Sequence, residues 1–224
     1  MIVKVCGITS VDDGRDALRA GADWIGLNLV GGPRRLDLAQ ADEILAALSD
    51  PQRAVVLVSL VEGRMPSVTA ARLGSRGVRR VQLYGEVTPA ALHAVGRAGF
   101  QVILVRPVRG PESFAPLETL LAASGNATPE YVLFDTAVEG RLGGTGTVAN
   151  WDAIVAARRQ GRSHRWPRAI LAGGLTPENV AVAIRTVQPA GVDVSSGVES
   201  EPGCKDPAKV AAFVEQVRRT ESQP

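Results

Sequence analysis

Val192-Asp193-Val194-Ser195-Ser196-Gly197-Val198-Glu199 lies near the end of the chain, Leu171-Ala172-Gly173-Gly174-Leu175 just before it, and Lys4-Val5-Cys6-Gly7-Ile8-Thr9 at the start. Each reads as a short apolar strand running into a small-residue, Gly-containing loop, the place where an α/β protein keeps its chemistry. If the first and last strands are neighbours, a thiol faces a phosphate cradle across one mouth. Only a closed barrel makes them neighbours, so the reading turns on whether the middle of the chain supplies one.

It does. Apolar runs taken as strands and 3.6-period stretches taken as helices alternate along the chain, with about 28 residues per unit. The strands fall at residues 2–6, 24–29, 54–60, 80–83, 101–105, 131–135, 169–172 and 192–195. The helices fall at 11–20, 38–48, 67–73, from 88 onward, 113–123, 151–159, from 176 onward and from 206 onward. Thr88-Pro89, Thr176-Pro177 and Asp206-Pro207 each place a capping residue before a proline, a helix-start pattern. Residues 123–130 and 160–168 read as helix-to-strand connections, and the tail after Thr220 as frayed. Eight strand–helix units with right-handed crossovers predict a (β/α)8 TIM barrel, a single domain over residues 1–224. An open dinucleotide-binding sheet fits less well, because no G-x-G-x-x-G follows the first strand.

Composition agrees and excludes other classes. The 224 residues, 45% hydrophobic, are enough for one substantial core and close to the roughly 250 typical of such barrels. Net charge is +2 with no polybasic block, so the footprint of a nucleic-acid binder is missing. No apolar run approaches the roughly 20 residues of a membrane span, and neither end reads as a signal peptide, so a soluble cytoplasmic protein is expected. Cys6 and Cys204 form neither a disulfide framework nor a metal-binding spacing.

Barrel chemistry is built at the carboxyl ends of the strands. Period-two alternation puts Lys4 and Cys6 on one face of the first strand, Tyr131, Leu133 and Asp135 on one face of the sixth, and Asp193 with Ser195 on the eighth. If those faces point inward, Cys6 and Asp135 emerge across the mouth from each other as a candidate base and acid. Each residue also has a plain structural use, Cys6 as a small buried hydrophobe and Asp135 as a turn cap. Lys4 inside a barrel needs a carboxylate, and Asp193 is the one on hand. Gly173-Gly174 and Ser195-Ser196-Gly197 follow the seventh and eighth strands, where barrels bind phosphate through backbone N–H groups. Gly143-Gly144-Thr145-Gly146 suits a loop over the site or a passive linker. Arg34 and Arg35 follow the second strand, and either guanidinium there suits a substrate carboxylate. His93 and His164 lie away from the expected mouth, and Cys204 reads as an exposed loop thiol.

These motifs, in this order, resemble phosphoribosylanthranilate isomerase. The resemblance spans nearly the whole chain through Lys4-Val-Cys-Gly-Ile-Thr9, Gly21-Ala-Asp23 with Gly26, Pro33-Arg34 and Val81-Gln-Leu83 with Gly85. It continues through Asp135 with Gly143-Gly-Thr-Gly146, Leu171 to Leu175, Pro177-Glu-Asn-Val180, Val192 to Glu199 and Pro202-Gly203. It implies a barrel of the ribulose-phosphate-binding type and an Amadori rearrangement in tryptophan biosynthesis without metal or organic cofactor. N-(5-phosphoribosyl)anthranilate would become 1-(2-carboxyphenylamino)-1-deoxyribulose 5-phosphate. Carried over, the general base falls on Cys6, the general acid on Asp135 and the carboxylate-binding arginine on Arg34. Gly173, Gly174, Ser196 and Gly197 fall in the phosphate loops. The implied partner is a small phosphorylated substrate, with no nucleic acid or membrane, and the chain is a monomer or a homodimer.

The chain departs from the family in places. The second strand ends Gly26-Leu-Asn-Leu-Val-Gly-Gly-Pro33 where Phe-rich residues are usual, Tyr84 stands where His is common, Val58-Ser-Leu60 replaces a Phe-Val-Asn run, and Thr147-Val-Ala-Asn-Trp151 replaces a Lys-Thr-Phe-Asp-Trp-like one. These changes touch the walls around the aromatic ring and the loop after the sixth strand, and predict the same chemistry with altered affinity or a somewhat different substrate. Two other readings compete. A sister isomerase acting on an aminoimidazole ribonucleotide resembles this architecture but carries Asp where Cys6 stands, and a non-catalytic phosphometabolite-binding barrel would have lost the acid or the base.

Overall fold

A computed structural model describes residues 1–136 and 150–222. Its strands are β1 (Ile2–Cys6), β2 (Trp24–Asn28), β3 (Ala54–Ser59), β4 (Arg80–Tyr84), β5 (Gln101–Val108), β6 (Tyr131–Thr136), β7 (Arg168–Leu171) and β8 (Gly191–Val194). They pair in chain order, all parallel, and β1 closes on β8 with Lys4 beside Asp193 and Val5 beside Val194. The helices are α1 (Val11–Arg19), α2 (Leu38–Ala46), α3 (Ser67–Ser75), α4 (Pro89–Arg97), α5 (Ala115–Ser124), α6 (Trp151–Arg159), α7 (Val180–Val187) and α8 (Pro207–Ser222). A short antiparallel hairpin, Glu199–Glu201 with Cys204–Lys205, stands between β8 and α8.

The helices begin where the sequence supplies a cap. Ser10 accepts from the Asp13 N–H at 3.1 Å, Thr88 from Ala91 at 3.2 Å with Pro89 following, and Asp37 forms a reciprocal box with Gln40. Asp206 accepts from Ala208 and Lys209 ahead of α8. Three expectations are corrected. Thr176-Pro177 does not start a helix: the Thr176 N–H donates to Asn179 Oδ1 at 2.9 Å and Asn179 Nδ2 to the Gly174 carbonyl, so these residues form a turn and α7 waits until Val180. β5 runs three residues past the expected Val105, because Arg106, Pro107 and Val108 pair with Phe134, Asp135 and Thr136. Helix α8 continues past Thr220 to Ser222, with Arg218 Nη1 donating to Glu221 Oε2 and to the Met1 carbonyl, and the last two residues lie outside the described ones.

Strand alternation sorts the side chains into two apolar sets. Val3, Val5, Ile25, Leu27, Val56, Leu104, Val132 and Phe134 face outward and pack under the helices. Trp24, Val55, Ile103, Tyr131, Leu133 and Ile170 fill the barrel interior. The amino-terminal end of the barrel is plugged by Trp24 and Tyr131, edge to face at 5.3 Å, with Arg80 over one ring and Arg168 over the other. Polar side chains, Lys4, Gln82 and Asp193, occupy the level above this plug, and the mouth opens beyond them at the carboxyl ends.

Candidate active site

At that mouth one cavity is lined by Cys6, Gly7, Asn28, Val30, Arg34, Leu57, Gln82, Tyr84, Asp135 and residues of the loops after β7 and β8. The alternation that turns Val3 and Val5 outward turns Lys4 and Cys6 inward, and the same rule on β6 presents Asp135 two residues beyond the interior Leu133. Gly173, Gly174, Ser196 and Gly197 complete the wall. The cysteine, the carboxyl group and the two small-residue loops named from the sequence are thus brought together. The Gly143–Gly146 loop lies outside the described residues.

Gly173 and Gly174 hold φ values of 84° and 64°, left-handed backbone open to glycine and strained for other residues. Gly197 is required for a different reason: a β-carbon there would stand 1.9 Å from the Leu175 carbonyl oxygen, so the turn after β8 is pressed directly on the loop after β7. Close packing of these turns makes one backbone concavity suited to an anion.

Cys6 is buried and flanked by cationic charge. Burial pushes its thiol above the ordinary value, and the charge and hydrogen bond of Lys4 and the charge of Lys205 pull it part of the way back. Lys4 is completely buried and donates from Nζ to Asp193 Oδ2 at 2.9 Å, the pairing expected from sequence. Burial alone would lower Lys4, but the charges of and hydrogen bonds to Asp193 and Cys6 together outweigh it and keep the ammonium protonated. Asp193 Oδ1 is buried with no hydrogen-bond partner among the described residues, and Asp193 borders the cavity.

Tyr84 OH accepts from Gln82 Nε2 at 3.0 Å, and burial raises the phenol well above its ordinary value, so a neutral hydroxyl stands in the wall. Of the two candidate arginines, Arg34 reaches the cavity while Arg35 is exposed, bridged by its backbone to Asn28. Arg34 is already engaged: Nε and Nη2 form a two-pronged pair with Glu199 Oε1 and Oε2 at 2.7 and 2.6 Å, leaving Nη1 outside the fork. Glu199 in turn accepts from Lys205 Nζ at 2.6 Å.

Sequence reasoning missed Gln82, Asn28 and Lys205. The first two followed from alternation on β4 and β2, and Lys205 had one indication, being among only three lysines beside 22 arginines. His93 and His164 are exposed on α4 and in the connection before β7, and Cys204 is an exposed loop thiol. Among the described residues no group of three His, Cys, Asp or Glu side chains is arranged to hold a metal ion, and no helix is long and apolar enough to cross a membrane.

Comparison with known proteins gives a family model and similar sequences and structures. The model of the N-(5′-phosphoribosyl)anthranilate (PRA) isomerase family matches residues 3–216. The N-(5′-phosphoribosyl)anthranilate isomerase of Moorella thermoacetica is 38% identical over 219 residues, 98% of this chain and 90% of that protein. The crystal structure of phosphoribosyl anthranilate isomerase from Thermotoga maritima superposes with a TM-score of 0.80 at 28% identity, covering 98% of this chain and all of that one. A further structure of such an isomerase, in complex with reduced 1-(o-carboxyphenylamino)-1-deoxyribulose 5-phosphate, superposes at 0.76 with 26% identity and the same coverage.

Proposed function

The chain belongs to the N-(5′-phosphoribosyl)anthranilate isomerase family, and we propose that Cys6 and Asp135 are the base and acid with which it works. The reaction is the isomerisation of N-(5′-phosphoribosyl)anthranilate in tryptophan biosynthesis. What carries the assignment of roles is that one cavity is bordered by both side chains and by two glycine turns at the ends of β7 and β8.

In this reading the phosphate rests on the backbone of Gly173, Gly174, Ser196 and Gly197, and the anthranilate carboxylate meets Arg34. Holding both ends fixes the sugar between them. Asp135 donates its proton to the ring oxygen as the C1′–O bond breaks and the nitrogen lone pair forms the Schiff base. Cys6, as thiolate, removes the C2′ proton; the electron pair becomes the C1′–C2′ double bond, and the nitrogen regains its lone pair. The enolamine then loses its hydroxyl proton as C1′ gains one, giving the ketone. Protons are exchanged one for one, the last pair with solvent, which also returns Asp135 and Cys6 to their starting forms, and no electrons leave the substrate.

The raised thiol suits a carbon acid. A thiolate of high proton affinity is scarce but is a stronger base once formed, and Lys4 supplies the neighbouring positive charge. Among the described residues the only aromatic ring in the cavity wall belongs to Tyr84, which with Val30 and Leu57 gives the apolar side against which the anthranilate ring fits. We read residues 1–224 as one domain, cytoplasmic, and monomeric or homodimeric, with a small phosphorylated molecule as its partner; sedimentation of the purified protein decides the oligomeric state.

The deciding experiment follows the fluorescence of freshly generated phosphoribosylanthranilate with purified protein, alongside an aminoimidazole ribonucleotide counter-assay. Consumption of the first by the wild type and its loss in Cys6→Ala and Asp135→Asn is the expected result. Turnover that survives either substitution removes that residue from the mechanism.

A further inference from the structure

Beside the mouth of the barrel lies a cluster of buried charge in which the mechanism gives only Arg34 a role. Arg34, Glu199 and Lys205 have side chains only 12%, 5% and 2% exposed. Glu199 Oε1 accepts from Arg34 Nε at 2.7 Å and from Lys205 Nζ at 2.6 Å, while Oε2 accepts from Arg34 Nη2 at 2.6 Å. Lys205 Nζ also donates to the Ser195 carbonyl at 3.2 Å, and Lys209 Nζ to the Glu199 carbonyl at 2.8 Å. The arrangement follows from the hairpin, in which Lys205 stands directly opposite Glu199.

Burying such a set is an expensive way to gain stability, because desolvation consumes most of the attraction. What it does supply is orientation. A two-pronged contact fixes the plane of a guanidinium, and two buried cations around one carboxylate leave a surplus positive charge. Burial would raise Glu199, but hydrogen bonds from Arg34 and Lys205 and their charges hold it below the ordinary carboxylate range, so it is ionised. The stem of Arg34 lies flat over Gly7, where a β-carbon would meet its Cδ at 2.4 Å and Ser195 Oγ at 3.1 Å. Arg34 is thereby laid beside Cys6 and against the start of the phosphate turn.

We propose that Glu199 and Lys205 are positioning residues: Glu199 locks the guanidinium of Arg34 so that its Nη1 edge receives the substrate carboxylate, and Lys205, tied to both Glu199 and the Ser195 carbonyl, sets the spacing between that receptor and the phosphate-binding turn. The two anionic ends of the substrate are then measured by one rigid unit. This rests on the reading of Arg34 as the carboxylate receptor, and the test separates the two.

The test measures kcat and KM, and the affinities of two probes: reduced 1-(o-carboxyphenylamino)-1-deoxyribulose 5-phosphate and its phenylamino counterpart without the carboxylate. Glu199→Gln keeps the shape and removes the charge. It is expected to raise KM about tenfold with kcat within about threefold, and to weaken the carboxylated probe about tenfold while leaving the other within about twofold. Lys205→Met is expected to weaken both probes and competitive inhibition by inorganic phosphate. Arg34→Ala gives the reference loss of discrimination. If Arg34→Ala discriminates as the wild type does, the receptor reading fails. If Arg34→Ala loses discrimination and Glu199→Gln retains it, or loses both probes equally, the positioning role fails alone. Should Glu199→Gln not fold, Glu199→Asp keeps the charge but withdraws the fork by one methylene, and its probe ratio must fall in the same direction; an unchanged ratio overturns the proposal.

Discussion

Gly26 on β2 lies beside Cys6 on β1 so closely that a β-carbon built on it would stand 2.7 Å from the sulfur and 3.0 Å from the Cys6 Cα. The interior face of β2 reads Trp24, Gly26, Asn28, and the gap at its middle position is the space the thiol occupies. Backbone cannot yield at those distances, so Gly26→Ala must turn the sulfur away or part the two strands. Because the proposed C2′ abstraction depends on the position of that sulfur, kcat is expected to fall by about 10²-fold with KM less affected. Steady-state kinetics of Gly26→Ala with freshly generated substrate check this, and an unchanged kcat would show that the sulfur need not sit where it does.

In the proposed mechanism Asp135 and Cys6 act at separate steps, ring opening and C2′ deprotonation respectively. Each of Cys6→Ala and Asp135→Asn is expected to reduce kcat/KM by about 10²- to 10⁴-fold. Neither change leaves a large void, so thermal unfolding should stay near wild type for both. A variant that lost activity and unfolding temperature together would point to a packing role instead.

Much of this site was legible in the sequence because its elements obey local rules. Alternation decides which side of a strand Cys6, Asp135 and Asp193 occupy, strand ends decide the level of the mouth, and glycine at positive φ decides where backbone can meet an anion. The pairing of Lys4 with Asp193 followed from the cost of a lone buried ammonium. What stayed hidden depends on the return path of the chain. Arg34 and Glu199 are 165 positions apart, and their contact exists because a bulged hairpin after β8 folds back against Thr9 and Pro33. Composition gave the one hint of Lys205: in a chain so rich in arginine, a compact ammonium stands where one donor reaches a carboxylate and a carbonyl in a closed space. The extension of β5 was invisible because Arg106 and Pro107 break its apolar run.

Gly197 offers a test of the anion site that leaves the acid and base alone. A β-carbon at Gly197 would press on the Leu175 carbonyl oxygen at 1.9 Å and on the Thr176 Cα at 3.2 Å, so Gly197→Ala must separate the two turns. KM is expected to rise at least about tenfold, with inorganic phosphate losing its inhibition in proportion. Gly96→Ala on α4 meets nothing within 4 Å and serves as the control, with stability equal to or about 0.4–1 kcal/mol above wild type. Retained phosphate inhibition in Gly197→Ala would place the phosphate elsewhere.

Lys4 and Asp193 form the costliest pair to break by halves. Lys4→Met leaves a buried carboxylate without its cation, expected to cost about 3–5 kcal/mol and to lower Tm on the order of 10 °C. The double variant Lys4→Met with Asp193→Leu removes the unpaired charge and should recover most of that loss, though not activity, since Asp193 borders the cavity. Differential scanning calorimetry of the single and double variants decides it. A double variant as unstable as the single one would mean that packing, not charge, is what Lys4 provides.

The pH behaviour of Cys6 has a definite sign. Burial raises the thiol above its ordinary value despite Lys4, so the thiolate is the minor form at neutral pH and grows about tenfold per pH unit until the raised value is reached. With Cys6 as the titrating base of the proposed mechanism, the residual kcat/KM of Asp135→Asn is expected to climb with a slope near one from about pH 7 to 9 without levelling. Alkylation of Cys6 by iodoacetamide, measured with Cys204→Ser to silence the exposed thiol, should climb in parallel. Linkage gives stability the opposite slope: a folded-state value above the unfolded one favours the folded protein below the unfolded value, and that contribution is lost as pH rises through the folded value. Alkylation that levels off below pH 8 would show that the thiol is not held up by burial, and that the base is a resting thiolate.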